Sequence, residues 1–181
     1  MESASACAHR RPTHLGGVRT QTRTWLGIGA AAITLMAVAS ASAHDWLIYN
    51  HTPSVPTGWY VRSSGEIARG AFVTVRAQDV APDYAAARNF TDASDRFIKR
   101  IAANDGDRVC ADGDAIRIND RTVAHRAVRD SEGRMLPRWS GCRTLSGDEF
   151  FLMGETPDSF DSRYFGPVSV ADIEGVWRKF F

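Results

Sequence analysis

Arg96-Phe97-Ile98-Lys99-Arg100-Ile101-Ala102, followed by Asn104-Asp105-Gly106-Asp107, is the stretch on which the reading of this chain turns. Its first seven residues mix aromatic and β-branched side chains, and its last four are turn formers, so it predicts a strand closed by a tight turn. Side chains alternate along a strand. Phe97, Lys99 and Ile101 therefore share one face, and Ile98, Arg100 and Ala102 the other. A lysine between two apolar neighbours is open to desolvation, which disfavours the ammonium and lowers its pKa from the usual ~10.4. The residue also stands out by rarity: the chain has 20 arginines but only two lysines, Lys99 and Lys179. Arginine stays protonated at ordinary pH, whereas a desolvated lysine can act as a neutral base. On composition alone a solvated surface lysine is the simpler reading.

Working outward, Ala71-Phe-Val-Thr-Val-Arg76 follows an Arg69-Gly70 turn and predicts a second strand. Trp59-Tyr60-Val61, Arg108-Val-Cys110, Ala115-Ile-Arg-Ile118, Arg121-Thr-Val-Ala124 and Glu149-Phe-Phe-Leu-Met-Gly154 predict further short strands, with a hairpin turn at Asn119-Asp120. Between the strands at 71–76 and 96–102, Tyr84-Ala-Ala-Ala-Arg88 predicts one or two helical turns in an insertion that faces membrane or substrate. Residues 129–141 are polar, and Val170 to Phe181 is expected to dock as a strand or short helix. The fold class is mostly β: an antiparallel, partly barrel-like domain with Gly-rich turns. Repeats, a P-loop and a dinucleotide-binding signature are absent from the sequence.

The N-terminus reads differently. Residues 1–24 carry four arginines against the single acid Glu2, and Thr24 to Ala43 holds no charge. A helix of that length spans about 30 Å, roughly the hydrocarbon thickness of a bilayer. The expected division is a cytoplasmic basic arm over 1–24, a transmembrane anchor over 25–43 and an exported domain over 44–181. A signal peptide cleaved after Ala41-Ser42-Ala43 is the competing reading of the apolar segment. Beyond residue 24 the chain has 18 basic and 20 acidic groups. That near-neutral balance offers no electrostatic case for nucleic acid.

Only Cys110 and Cys142 lie beyond the apolar segment. They either form one disulfide, suited to an exported domain, or remain two buried thiols. The scattered histidines and the lack of a Cys-x-x-Cys pair suggest no metal, redox or other cofactor. The segment His51 to Gly58 is irregular because it contains Pro53, Pro56 and Gly58. Ser54 sits between the prolines, ten or so residues past the apolar segment. Taken alone it reads as an ordinary turn serine.

Three segments together change that weighting. Thr52-Pro-Ser-Val-Pro-Thr-Gly-Trp-Tyr60 resembles the serine box of type I signal peptidases, most closely in the plasmid-transfer (TraF) branch. Phe97-Ile-Lys-Arg-Ile-Ala-Ala-Asn-Asp-Gly-Asp107 resembles the lysine box, with Asn104-Asp105 where leader peptidases often carry an aliphatic residue and proline. Asp158-Ser-Phe-Asp-Ser-Arg-Tyr-Phe-Gly166 resembles the final Asp-Ser-Arg box, and Arg134 to Cys142 is similar to the transfer branch.

The resemblance implies a membrane-bound serine endopeptidase with a periplasmic domain. Ser54 would be its nucleophile and Lys99 its general base. It gives Thr52 an oxyanion-binding hydroxyl, Ser159 the task of orienting the lysine amine, and Asp161 a supporting acidic role, with Asp158 a nearby competitor. Asp161 and Arg163, two apart, are expected on one side of an extended segment. The implied partners are a precursor protein, pilin-like in the transfer branch, inner-membrane lipid and conjugative pilus assembly proteins. Three other readings remain: a general signal peptidase, a self-cleaving repressor of related fold, and a non-catalytic exported β module of a secretion or pilus machine.

Overall fold

The segment carrying Lys99 forms an eight-residue strand, Arg96–Ala103, in a computed structural model that describes residues 45–92 and 94–180. The basic arm expected over 1–24 and the anchor or signal peptide expected over 25–43 lie outside the described residues. Among the described residues, no helix is long and apolar enough to cross a membrane.

In chain order the strands are β1 (Leu47–Asn50), β2 (Gly58–Ser63), β3 (Phe72–Arg76), β4 (Arg96–Ala103), β5 (Arg108–Asp112), β6 (Ala115–Ile118), β7 (Arg121–His125), β8 (Gly141–Thr144), β9 (Glu149–Met153), β10 (Val168–Ser169) and β11 (Ile173–Lys179). Helices α1 (Ala77–Val80) and α2 (Pro82–Ala86) lie between β3 and β4, and α3 (Ser162–Phe165) follows β9. A seven-stranded sheet has the order β1-β2-β11-β3-β4-β9-β10, and a four-stranded sheet the order β7-β6-β5-β8. The strand pairings are antiparallel, in agreement with the mostly β, partly barrel-like expectation.

The alternation predicted for β4 is realised. Phe97 and Ile101 pack with Val73, Val75 and Leu152. Ile98 joins Val55, Tyr60 and Trp177 in a separate cluster. Another apolar cluster, including Val109, Ile116 and Leu145, packs the small sheet against Ala103 of β4 and Phe151 of β9. Each fully buried aliphatic or aromatic side chain contributes about 1.5–3 kcal/mol. These clusters therefore fix β4 between β3 and β9 and hold its polar members in place.

Several details refine the sequence reading. The tail is expected as a strand or short helix, and it forms both. A 3-10 turn over Val170–Asp172 is closed by a reciprocal Ser169–Asp172 cap. β11 follows and inserts between β2 and β3, with Trp177 buried and its indole N–H donating to Thr74 Oγ1 at 2.9 Å. The helical turns start earlier than Tyr84, because Pro82 opens α2 where its missing N–H costs nothing. Asn119 and Asp120 both have positive φ, as the hairpin turn requires. Cys110 and Cys142 are directly paired across β5 and β8 and form a disulfide, which rules out the two-thiol alternative.

Candidate active site

The loop between β1 and β2 carries Thr52 and Ser54. Pro53 and Pro56 supply no backbone N–H, so the loop cannot close on its own hydrogen bonds in the usual way. It is pinned at three points. Val55 is fully buried beside Tyr60 and Ile98. The Tyr60 hydroxyl donates to the Pro56 carbonyl at 2.6 Å. Asn50, at the end of β1, donates its amide to the carbonyls of Thr52 and Val55 at 2.8 and 3.0 Å. Ser54 is half-buried, and its Oγ lies 3.2 Å from Thr52 Oγ1.

Lys99 reaches the same cleft from β4. It is 4% exposed, and its Nζ donates to Ser159 Oγ at 3.1 Å. The cleft has a volume of about 450 Å³ and is lined by Thr52, Ser54, Lys99 and Ser159 together. Burial pushes the Lys99 pKa from 10.5 down to about 8. Asp161 and Asp158 pull it up and Arg163 pushes it down. Asp161 and Arg163 are themselves paired, so they oppose each other at the amine and burial sets the outcome.

That pair is fully enclosed. Arg163 donates Nε to Asp161 Oδ1 at 2.8 Å and a terminal nitrogen to Oδ2 at 2.7 Å, with the two side chains 2% and 0% exposed. Two more guanidinium hydrogens go to the carbonyls of Thr156 and Pro157, both at 2.8 Å. Asp161 also accepts from the backbone of Arg163 and of Gly154. Satisfaction on every side is what lets such a pair stay buried. The segment is not the extended run expected from sequence. Asp161 is the N-cap of α3 and Arg163 lies in its first turn, because the carboxylate accepts the helix's free N–H. The two side chains meet through the cap. Asp158 is exposed, whereas Asp161 is buried.

Gly154 joins these parts. An added Cβ would lie 2.0 Å from Ser159 Oγ and 2.8 Å from the Ser54 carbonyl oxygen. Only a hydrogen fits there, so the Ser54 segment and the Ser159 hydroxyl flank one α-carbon. The next residue, Glu155, donates its N–H to the Ser54 carbonyl at 2.6 Å. The Ser162 hydroxyl accepts from Leu152 N–H at 3.0 Å, which ties α3 to β9.

All five residues singled out from sequence, Thr52, Ser54, Lys99, Ser159 and Asp161, thus fall in or directly behind one cleft. Sequence reasoning missed Asn50, Tyr60 and Gly154. Gly154 follows a core strand and precedes an acidic turn, which was the only cue for it. The insertion between β3 and β4 turns toward this cleft, to which it contributes Tyr84, Phe90 and Asp95. Among the described residues no group of His, Cys, Asp and Glu side chains could hold a metal ion.

A family model described as "Signal peptidase, peptidase S26" matches residues 19–181. A plasmid transfer protein TraF of Escherichia coli is 33% identical over 172 residues, covering 85% of this chain and 92% of its own. A second plasmid transfer protein TraF of Escherichia coli is 30% identical over 171 residues, covering 88% and 96%. A probable conjugal transfer protein TraF of Sinorhizobium fredii is 32% identical over 165 residues, covering 84% and 87%.

Proposed function

The chain belongs to the signal peptidase family, peptidase S26, and we propose that within it Ser54 and Lys99 form the catalytic pair of a membrane-bound endopeptidase. One observation carries the reading: a buried lysine with a lowered pKa shares a cleft with a half-buried serine on a pinned loop. No other described lysine is buried, since Lys179 is exposed.

In this mechanism neutral Lys99 Nζ takes the Ser54 Oγ proton as Oγ bonds to the scissile carbonyl carbon. The ammonium then gives that proton to the leaving amine as the C–N bond breaks, leaving an acyl-enzyme. Lys99, neutral again, takes a proton from a water that bonds to the acyl carbon, and returns it to Ser54 Oγ as the ester C–O bond breaks, which releases the acid product and restores the enzyme. The oxyanion is held by the Ser54 N–H and the Thr52 hydroxyl. Ser159 aims the amine, and the Asp161–Arg163 pair holds the segment bearing Ser159.

The substrate is a precursor bound as an extended strand and cut after small residues. The TraF relatives are named for plasmid and conjugal transfer, and the precursor proposed for this chain is a pilin-like protein of such a transfer system. The inner membrane is the proposed site of action, with 25–43 as a single span, the N-terminus in the cytoplasm and the catalytic domain in the periplasm.

The test uses full-length protein in membranes with a precursor carrying an Ala-x-Ala site. Ser54→Ala and Lys99→Arg should each abolish cleavage while leaving the protein folded. Cleavage at the wild-type rate by Lys99→Arg would refute the pair, because arginine cannot supply a neutral amine.

A further inference from the structure

We propose that Asn50 is a positioning residue for catalysis, acting through the Thr52 hydroxyl; this rests on the Ser54–Lys99 reading above. Asn50 ends β1 and pairs with Gly58 at the start of β2, so it stands at the neck of the loop that carries Thr52 and Ser54. Its side chain is turned inward and is 6% exposed. The amide nitrogen donates to the carbonyls of Thr52, Val55 and, at 3.3 Å, Pro56. The amide oxygen accepts from the Thr52 N–H at 3.2 Å and from the Thr52 hydroxyl at 3.0 Å.

The partners fix the orientation of the amide. Flipped, it would face three carbonyls with an oxygen and a backbone N–H with its own NH₂. One side chain therefore replaces hydrogen bonds that a loop with two prolines cannot make for itself. Aspartate, though the same shape, has no donor for the three carbonyls.

A consequence follows for the chemistry. The Thr52 hydroxyl has a single hydrogen, and Asn50 Oδ1 receives it. Thr52 Oγ1 is then left as an acceptor toward Ser54 Oγ, 3.2 Å away. Asn50 thus sets where both hydroxyls sit before substrate arrives. When the oxyanion forms, the Thr52 hydrogen turns from Asn50 Oδ1 to the new charge, and Asn50 keeps the Thr52 backbone in place through its N–H and carbonyl. No covalent bond to Asn50 forms or breaks.

A merely structural role would lower stability and leave the chemistry of the folded protein alone. The experiment is a double-mutant cycle on the full-length chain in detergent micelles. Asn50→Ala is made in the wild type and in Thr52→Val, with kcat, KM and thermal midpoint measured for each. Asn50→Asp serves as a second variant of unchanged shape. Removing one oxyanion donor typically costs about 10²–10³-fold in kcat. In the wild type, Asn50→Ala and Asn50→Asp should each lower kcat at least tenfold with KM nearly constant. In Thr52→Val the same changes should cost no more than about threefold, since the hydroxyl they position is gone.

Equal losses in both backgrounds would overturn the proposal, as would a kcat unchanged at temperatures where the variants are folded. If Asn50→Ala fails to fold, Asn50→Asp decides on the same criteria; failure of both to fold would mark Asn50 as structural and count against it. Ser54→Ala is run alongside. Full activity there would sink the catalytic pair itself, whereas an inactive Ser54→Ala with uncoupled Asn50 would sink only this inference.

Discussion

The most quantitative expectation concerns pH. With a pKa of about 8, Lys99 is about one-tenth neutral at pH 7. At its ordinary 10.5, only about three amines in ten thousand would be neutral, so burial enriches the reactive form about 300-fold. If neutral Lys99 is the base, kcat/KM should rise tenfold per pH unit below pH 7 and level off above about pH 8. The assay is cleavage of a fluorogenic peptide with an Ala-x-Ala site across pH 5.5–9.5, using full-length protein in micelles. The same shift makes a stability prediction. An unfolded Lys99 holds its proton up to about pH 10.5, and the folded one loses it near 8. Between those values the unfolded chain binds more protons, so Lys99's contribution to stability improves as pH rises through that window. The full effect is on the order of 3 kcal/mol, present as a penalty below pH 8 and relieved by about pH 10.5. Lys99→Met removes the titration. It should be inactive, at least as stable as the wild type at pH 7, and show a smaller rise in stability between pH 8 and 10.5. A flat rate from pH 6 to 9, or an identical pH–stability curve for Lys99→Met, would refute the reasoning.

Other substitutions probe the framework. Gly154→Ala puts a methyl group 2.0 Å from Ser159 Oγ; it should cost about 1–3 kcal/mol in denaturant melts and more than tenfold in kcat. Asp161→Asn leaves the Arg163 guanidinium buried without its countercharge; chemical denaturation should show a loss of about 3–5 kcal/mol. Removing the Cys110–Cys142 bridge, which spans 32 residues, should cost about 3–4 kcal/mol. Peptide kcat at 20 °C should change little, since the bridge lies in the small sheet.

How much of this was legible in the sequence depended on the kind of interaction. The Lys99 strand, the Asn119-Asp120 turn and the core strand at 149–153 follow from alternation and turn chemistry, which are local. The edge strands at 47–50, 141–144 and 168–169 were missed because each is short, and the last two pair with strands that do not adjoin them in a tight hairpin. Val168–Ser169, for example, is a two-residue strand on β9. The central placement of the tail strand is likewise a long-range fact, decided by Trp177 packing beside Tyr60 and Ile98. At the site, the box pattern pointed to Ser54, Lys99 and Ser159. It was silent on Asn50, whose side chain satisfies a proline-interrupted loop, and on Gly154, whose lack of a side chain leaves room for the Ser54 and Ser159 segments to approach. The geometry of Asp161 and Arg163 differed from the expected extended run because a carboxylate beside a free helical N–H makes a cap.

The most direct test of the Ser54–Lys99 pair is to look for the covalent intermediate. Full-length protein is mixed with an activated acyl ester, quenched in acid within one turnover, digested and analysed by mass spectrometry. A Ser54 nucleophile predicts one acyl increment on the peptide containing Ser54, growing with pH up to about 8 and lost in Lys99→Arg. An acyl group carried on any other residue, or acylation of Ser54 at full rate in Lys99→Arg, would contradict it.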